Sequence, residues 1–117
     1  VIDITGETAT STVGVIPANS KITEVQLNIV EASDNSAAAT VSVGFSGATT
    51  ALLNGTNAKA VALTYSTGMA TASINIGTTD RTVIATYSPG VTADGTAGIA
   101  DVTVKYLQNV NLNVTDS

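Results

Sequence analysis

Apolar and polar residues alternate one for one along most of this chain, in segments of strand length separated by turn-forming residues. The stretch IPANSKITEVQLNIVEA, residues 16–32, shows the pattern most cleanly. Val25, Leu27 and Ile29 fall on one face, and Glu24, Gln26 and Asn28 on the other. A strand points successive side chains to opposite sides, so such a segment has one face for a core and one for water or a partner. A helix competes for the same residues, because Ile22, Val25 and Ile29 also sit at helical spacing and residues 23–26 resemble a capping box. A helix would leave Leu27 off its apolar stripe, and five of the nine residues 22–30 are β-branched, which decides for a strand.

The same reading gives further strands at residues 1–5, 8–16, 40–46, 58–65, 70–76, 82–88 and 98–107, with Val110, Leu112 and Val114 marking a last alternating segment. Between them lie turns with identifiable chemistry. Pro17 fixes φ, and Asn19 and Ser20 readily bond their own backbone. Ser33-Asp34-Asn35-Ser36, Ser66-Thr67-Gly68 and Gly77-Thr78-Thr79-Asp80 read as loops, and residues 89–96 carry Pro-Gly and Asp-Gly dipeptides. Residues 47–56, rich in Gly, Thr and Asn around Leu52 and Leu53, read as a long surface loop whose leucines enter the core or touch a neighbour. Eight or nine short strands with no significant helix predict an all-β, single-domain antiparallel β-sandwich, jelly-roll-like, over residues 1–117.

Composition agrees and narrows the chemistry. A chain of this size buries roughly two-thirds of its unfolded surface. With only Phe45, Tyr65, Tyr87 and Tyr106 aromatic, Val, Ile, Leu and Ala must fill the core. There is no cysteine and no histidine, so thiolate nucleophiles, Cys-based zinc sites and the commonest general base are all excluded. Four Lys and Arg, none near another, stand against nine Asp and Glu, which argues against a nucleic-acid groove. No apolar run is long enough to span a bilayer as a helix. Charged residues are just 11% of the chain, with Thr, Ser and Asn supplying the polarity, a surface more typical of extracellular or virion proteins than of a cytosolic enzyme.

Catalytic patterns fail one by one. Gly44-Phe45-Ser46-Gly47 approaches the serine-hydrolase elbow, but lacks the second glycine and any histidine to serve it. No phosphate-binding or dinucleotide glycine loop is present, so the chain is expected to be no enzyme and to need no cofactor. Asp34, Asp94 and Asp101 are weak candidates for Ca²⁺ ligands, because no loop supplies a dense run of carboxylates. Asp94-Gly95 is better read as a turn and Asp34 as a solvated loop residue. Asn54-Gly55-Thr56 and Asn113-Val114-Thr115 fit the N-glycosylation pattern. Tyr87 and Tyr106 are candidates for sugar stacking, but both fall in step with apolar neighbours and read as core residues with hydroxyls at the rim.

Two segments, IPANSKITEVQLNIVEA and RTVIATYSPGVTADGTAGIADVTVKYLQ, together resemble small β-sandwich structural proteins of tailed bacteriophages, in particular capsid decoration (cement) proteins. The resemblance implies a protein of the virion's outer capsid surface. Its partner would be the major capsid protein, it would assemble as a homo-oligomer with a trimer favoured, and it would carry no catalytic residues. The interface candidates are then Glu24, Gln26 and Asn28, together with Leu52, Leu53, Val110, Leu112 and Val114. The termini, residues 1–7 and 108–117, are candidates for engagement with neighbouring subunits. Two other readings stay open. One is a secreted, pilus-like filament subunit assembling by strand donation; an encoded leader upstream of Val1 would favour it, whereas a lone Met would favour the capsid protein. The other is a carbohydrate-binding or receptor-binding fibre domain.

Overall fold

The protein's structure is a computed structural model that describes residues 2–66 and 75–108. It contains β1 (Ile2–Asp3), β2 (Ala9–Ile16), β3 (Ser20–Glu31), β4 (Thr40–Phe45), β5 (Ala48–Asn57), β6 (Ala62–Ser66), β7 (Arg81–Ser88) and β8 (Ile99–Gln108). There is no helix among the described residues. The strands form two antiparallel sheets, sheet A in the order β1-β8-β3-β6 and sheet B in the order β2-β7-β4-β5. β1 pairs with β8, β2 with β7, β3 with β6 and β4 with β5. That nesting is a single long hairpin, closed at β4–β5 and rolled up so that its pairs alternate between sheets. β3–β8 and β4–β7 contacts then join the rolled turns. The result is the jelly roll, as the strand pattern predicts.

The core lies between the sheets. Sheet A contributes Ile22, Val25, Leu27 and Ile29 from β3, and sheet B contributes Val41, Val43 and Phe45 from β4 with Val83, Ala85 and Tyr87 from β7, all nearly or fully buried. Burying each Val, Leu or Ile is worth roughly 1.5–3 kcal/mol, so these aliphatic side chains dominate the stability of a chain with few aromatics. A bulge between Ile22 and Glu24 puts Thr23 and Glu24 both outward and preserves the inward parity of Val25, Leu27 and Ile29. At one end of sheet B, the Arg81 guanidinium stacks 3.7 Å from the centre of the Phe45 ring, covering an otherwise open aromatic face.

One expectation is corrected. Residues 47–56 do not form a long loop: after the turn at Gly47, residues 48–56 lie within β5, paired to β4 from Thr40↔Asn57 to Phe45↔Ala48. Their Gly and Thr content serves a tight reversal and two register shifts. Gly47 turns the chain at φ 88, and the bulges let β5 bring Leu52 into the core, 4% exposed, with Leu53 packed against it. The expected strand at 58–65 shortens to β6, and that at 70–76 falls largely outside the described residues. The predicted turn at Pro17-Ala18-Asn19 is present, with Asn19 in the left-handed region at φ 63. The Ala18 amide donates to Asp80 Oδ1 and the Asn19 amide to the Gly77 carbonyl, both at 2.8 Å.

Gly44 shows why the closed end of the hairpin needs glycine. A Cβ there would overlap the backbone of Ala48 and Thr49, so the β4–β5 turn approaches the Gly44 backbone directly. Gly44→Ala is expected to destabilise the fold by about 2 kcal/mol, the usual scale of overpacking. Gly14→Ala in β2, where a Cβ meets nothing within 4 Å, should stay within about 0.5 kcal/mol of the parent. Urea unfolding of the two variants measures the contrast.

Candidate functional site

The polar face read from residues 16–32 is the outer face of sheet A, and the pairing shows what flanks it. Across β3 on one side, Glu24 sits opposite Lys105, Gln26 opposite Thr103 and Asn28 opposite Asp101 of β8. On the other side, Gln26 sits opposite Tyr65 and Asn28 opposite Leu63 of β6. The face therefore grades from charged side chains over β8, through amides over β3, to apolar side chains over β6, the edge strand of the sheet. Leu63 is 48% exposed, Tyr65 53% and Val61, just before β6, 67%.

Sequence reasoning missed this apolar strip. Its signal was present in the alternation of Val61, Leu63 and Tyr65 with Ala62 and Thr64. Alternation alone does not say which of the two sets faces the core. Here Ala62 and Thr64, paired with Ile29 and Leu27, share the core side of the sheet, and the bulky residues face out.

Side-chain bonds order the charged end of the face. Gln26 Nε2 donates to Glu24 Oε1, and Lys105 Nζ lies 3.3 Å from the same oxygen. The Gln26 bond holds the Glu24 carboxyl below its ordinary value against the opposing effect of desolvation, with a bond from Lys105 and its charge adding to the lowering. Asn28 stays exposed. The face thus has an uncharged hydrogen-bonding centre bordered by Tyr and Leu, with ions at the rim.

The other interface candidates fall elsewhere. Leu52 and Leu53 point to the core side of sheet B, and Val110, Leu112 and Val114 lie outside the described residues. Tyr87 is fully buried, its hydroxyl 3.3 Å from Ser33 Oγ, as expected of a core tyrosine. Tyr106 lies on the core side of β8 opposite Ile22, but at the end of the strand, and is 41% exposed.

At one end of the sandwich, Asp34 and Asp94 come together across the 32–39 and 89–98 loops, yet their oxygens are engaged by the chain itself. Asp34 Oδ1 accepts from the amides of Thr96 at 2.7 Å and Ala97 at 3.1 Å, and its Oδ2 from the Thr96 hydroxyl at 2.9 Å. Asp94 accepts from the Ser36 amide at 2.8 Å and the Ser36 hydroxyl at 2.6 Å. Between them the buried Asn35 accepts from the amides of Asp94 and Gly95 and donates to the Pro89 carbonyl at 2.7 Å. This is a loop latch, each side chain standing in for a missing strand partner. Asp101 sits in β8, opposite Asn28 on the outer face of sheet A. Among the described residues no cluster of three or more acidic side chains is placed to hold a metal ion.

Comparisons of this chain with protein-family models, with curated proteins and with solved structures find no match.

The latch carries a pH signature. The amides of Ala97 and Thr96 hold the Asp34 carboxyl below its ordinary 3.8, and the Ser36 hydroxyl and amide do the same for Asp94, opposed by desolvation and by the charge of Asp34. Both pKa values are depressed in the folded state. Their contribution to stability is therefore complete above the unfolded value and lost as the pH falls through the lower folded one. Thermal unfolding followed from pH 6 to pH 2 should show this loss in the parent chain, and Asp34→Asn should flatten that limb. Asn35→Ala, which orphans buried amides, should cost about 3 kcal/mol at pH 7.

Proposed function

We propose that this chain is a non-enzymatic structural protein of a virus particle, a decoration or cement protein that binds the outer surface of a bacteriophage head and reinforces the shell. The observation that carries this reading is the outer face of sheet A. On it, Leu63 and Tyr65 stand exposed beside Gln26 and Asn28 on an edge of the sandwich whose β6 has no strand beyond it among the described residues. An apolar strip next to neutral amides binds by desolvation and short-range hydrogen bonds, with tyrosine the kind of residue that dominates such contacts.

The resemblance of the two quoted segments to phage decoration proteins, and the lack of His and Cys for catalysis, support the same reading. The partner is then the major capsid protein, and the copies cluster as a homo-oligomer, a trimer in the form the resemblance suggests. Contacts that are modest singly stabilise a shell when repeated over many copies. A second reading, an extracellular filament subunit in which one copy's terminal strand completes the next copy's sheet, draws on the unpartnered edge of β8.

Electron microscopy of the native particle from which the chain comes tests the choice. Density for the chain in discrete clusters on an icosahedral shell, with β6 against the capsid lattice, supports the decoration reading. A helical repeat along a fibre overturns it in favour of the filament. On shells stripped of the protein, the Leu63→Asp/Tyr65→Asp double variant should rebind at least about tenfold more weakly than the parent, a change of about 1.4 kcal/mol or more. Equal rebinding would remove this face from the contact.

A further inference from the structure

Among the described residues, sheet A has a vacancy on the side opposite β6. β1 is only 2 residues long and pairs with β8 solely at Ile2↔Ala100 and Asp3↔Ile99. β8 continues to Gln108, held as a strand to its last residue by β3 through Leu27↔Val102, Val25↔Val104, Ile22↔Tyr106 and Ser20↔Gln108. Among the described residues nothing pairs with the other edge of β8 over residues 102–108. The edge is formed along its length and, among the described residues, open.

The side chains along it are those of an unfinished core. Val102, Val104 and Tyr106 share the inward parity of the fully buried Ala100. Val102 and Val104 pack only partly against the core, while Tyr106 and the outward Leu107 are 41% and 64% exposed. At the inner end of the vacancy a cleft of about 100 Å³ opens between the sheets, lined by Ile2, Ser11, Thr12, Val13 and Val102. β2, the edge strand of sheet B, forms its other wall.

We propose that this vacancy is filled by residues 109–114 of a second copy of the chain, laid antiparallel on β8 as a continuation of β1. The sequence NVNLNV places Val110, Leu112 and Val114 on one face and three asparagines on the other, with no charge to desolvate. At ~3.3 Å per residue it spans roughly 20 Å, the length of a typical strand. Directly opposed residues of antiparallel strands share a face. Placing Val114 opposite Val102, Leu112 opposite Val104 and Val110 opposite Tyr106 therefore turns every apolar residue of the donor inward. In that register Thr115 meets Asp101, and the next position is the Ala100 that Ile2 already occupies, so the donor ends where β1 begins.

A chain is poorly placed to fill its own vacancy, because residue 109 follows β8 directly. A two-residue reversal at 109–110 would place Leu112 opposite the outward Leu107 and turn the donor's apolar face to solvent. A three-residue reversal restores the parity but removes Val110 from the pairing and puts its side chain in a turn with no glycine. Donation to another copy keeps the full alternation. Such a head-to-tail contact closes into a ring or runs on as a fibre. The inference rests on the assembly reading above only in that copies of this chain meet, and it holds for a shell-bound cluster and for a filament alike.

The test needs no shell. Analytical ultracentrifugation of the intact chain should give at least a dimer, and a chain ending at Gln108 should sediment as a monomer that binds a synthetic peptide of residues 109–117. Since the chain has no cysteine, Val104→Cys in one copy and Leu112→Cys in another, mixed under oxidant, should yield a disulfide-linked pair. This readout also stands if the shortened chain fails to fold. A monomeric intact chain overturns the proposal, as does an oligomer whose mass is unchanged by removing residues 109–117. A double variant Val104→Cys/Leu112→Cys that closes its disulfide only within one chain overturns it too, by showing self-filling. Shell rebinding by the Leu63 and Tyr65 variant is a separate readout, so failure of strand exchange and failure of the shell reading are told apart.

Discussion

The pairing of β3 with β8 is the contact on which the rest of the molecule depends. β3, 12 residues long, is paired along both edges, with β8 over nearly its whole length and with β6 over its centre. It supplies Ile22, Val25, Leu27 and Ile29 to the core and Glu24, Gln26 and Asn28 to the outer face. Because the side-chain period of a strand is two, a slip of one residue in this pairing would exchange those two sets. Bulges at Ile22/Glu24 and Ile29/Glu31 absorb the two irregularities of the pairing, so the buried faces of β3 and β8 stay matched from Ile22 to Ile29.

Much of this was legible in the sequence, and the parts that were not share a cause. β3, β4, β7 and β8 alternate cleanly because each has one buried and one open face, and the eye finds such strands without knowing their neighbours. β5 was not legible because its partner β4 shifts register twice along it, and bulges break the period that a local reading relies on. The strip on β6 was visible as alternation but not its side, since only the pairing of Leu63 with Asn28 and Tyr65 with Gln26 shows which set faces out. The jelly-roll-like class was legible from strand number and turn chemistry, but which strand lies beside which was not. That order is set by contacts between residues far apart in the chain, about which local alternation says nothing.

The loop latch illustrates the same division. Asp94-Gly95 as a turn and Asp34 as a loop residue are correct local readings. Their bonds, however, run between residues 58 to 63 apart in sequence. In a protein with few cations, carboxylates have scarce ionic partners and bond the backbone instead. Asp34 and Asp94 thereby tie the β3–β4 connection to the β7–β8 connection and fix the end of the sandwich from which β8 departs.

Sheet A thus offers two different surfaces on opposite sides of the β3–β8 pair: an outer face leading to the β6 edge, and the open edge of β8. A strand added to β8 extends the sheet away from β6, so it leaves Leu63 and Tyr65 uncovered. The two surfaces can be occupied at once, one face-on and the other edge-on. The charge balance fits this division of labour. With a net charge of −5 and isolated cations, copies of the chain gain nothing from long-range attraction to one another. The strand exchange proposed above rests instead on contacts that act only in register: backbone hydrogen bonds along an edge, with alternate apolar side chains entering a half-built core. Such contacts give weak encounter but strict geometry. That is the property a subunit needs when its position among identical neighbours matters more than the speed with which it arrives.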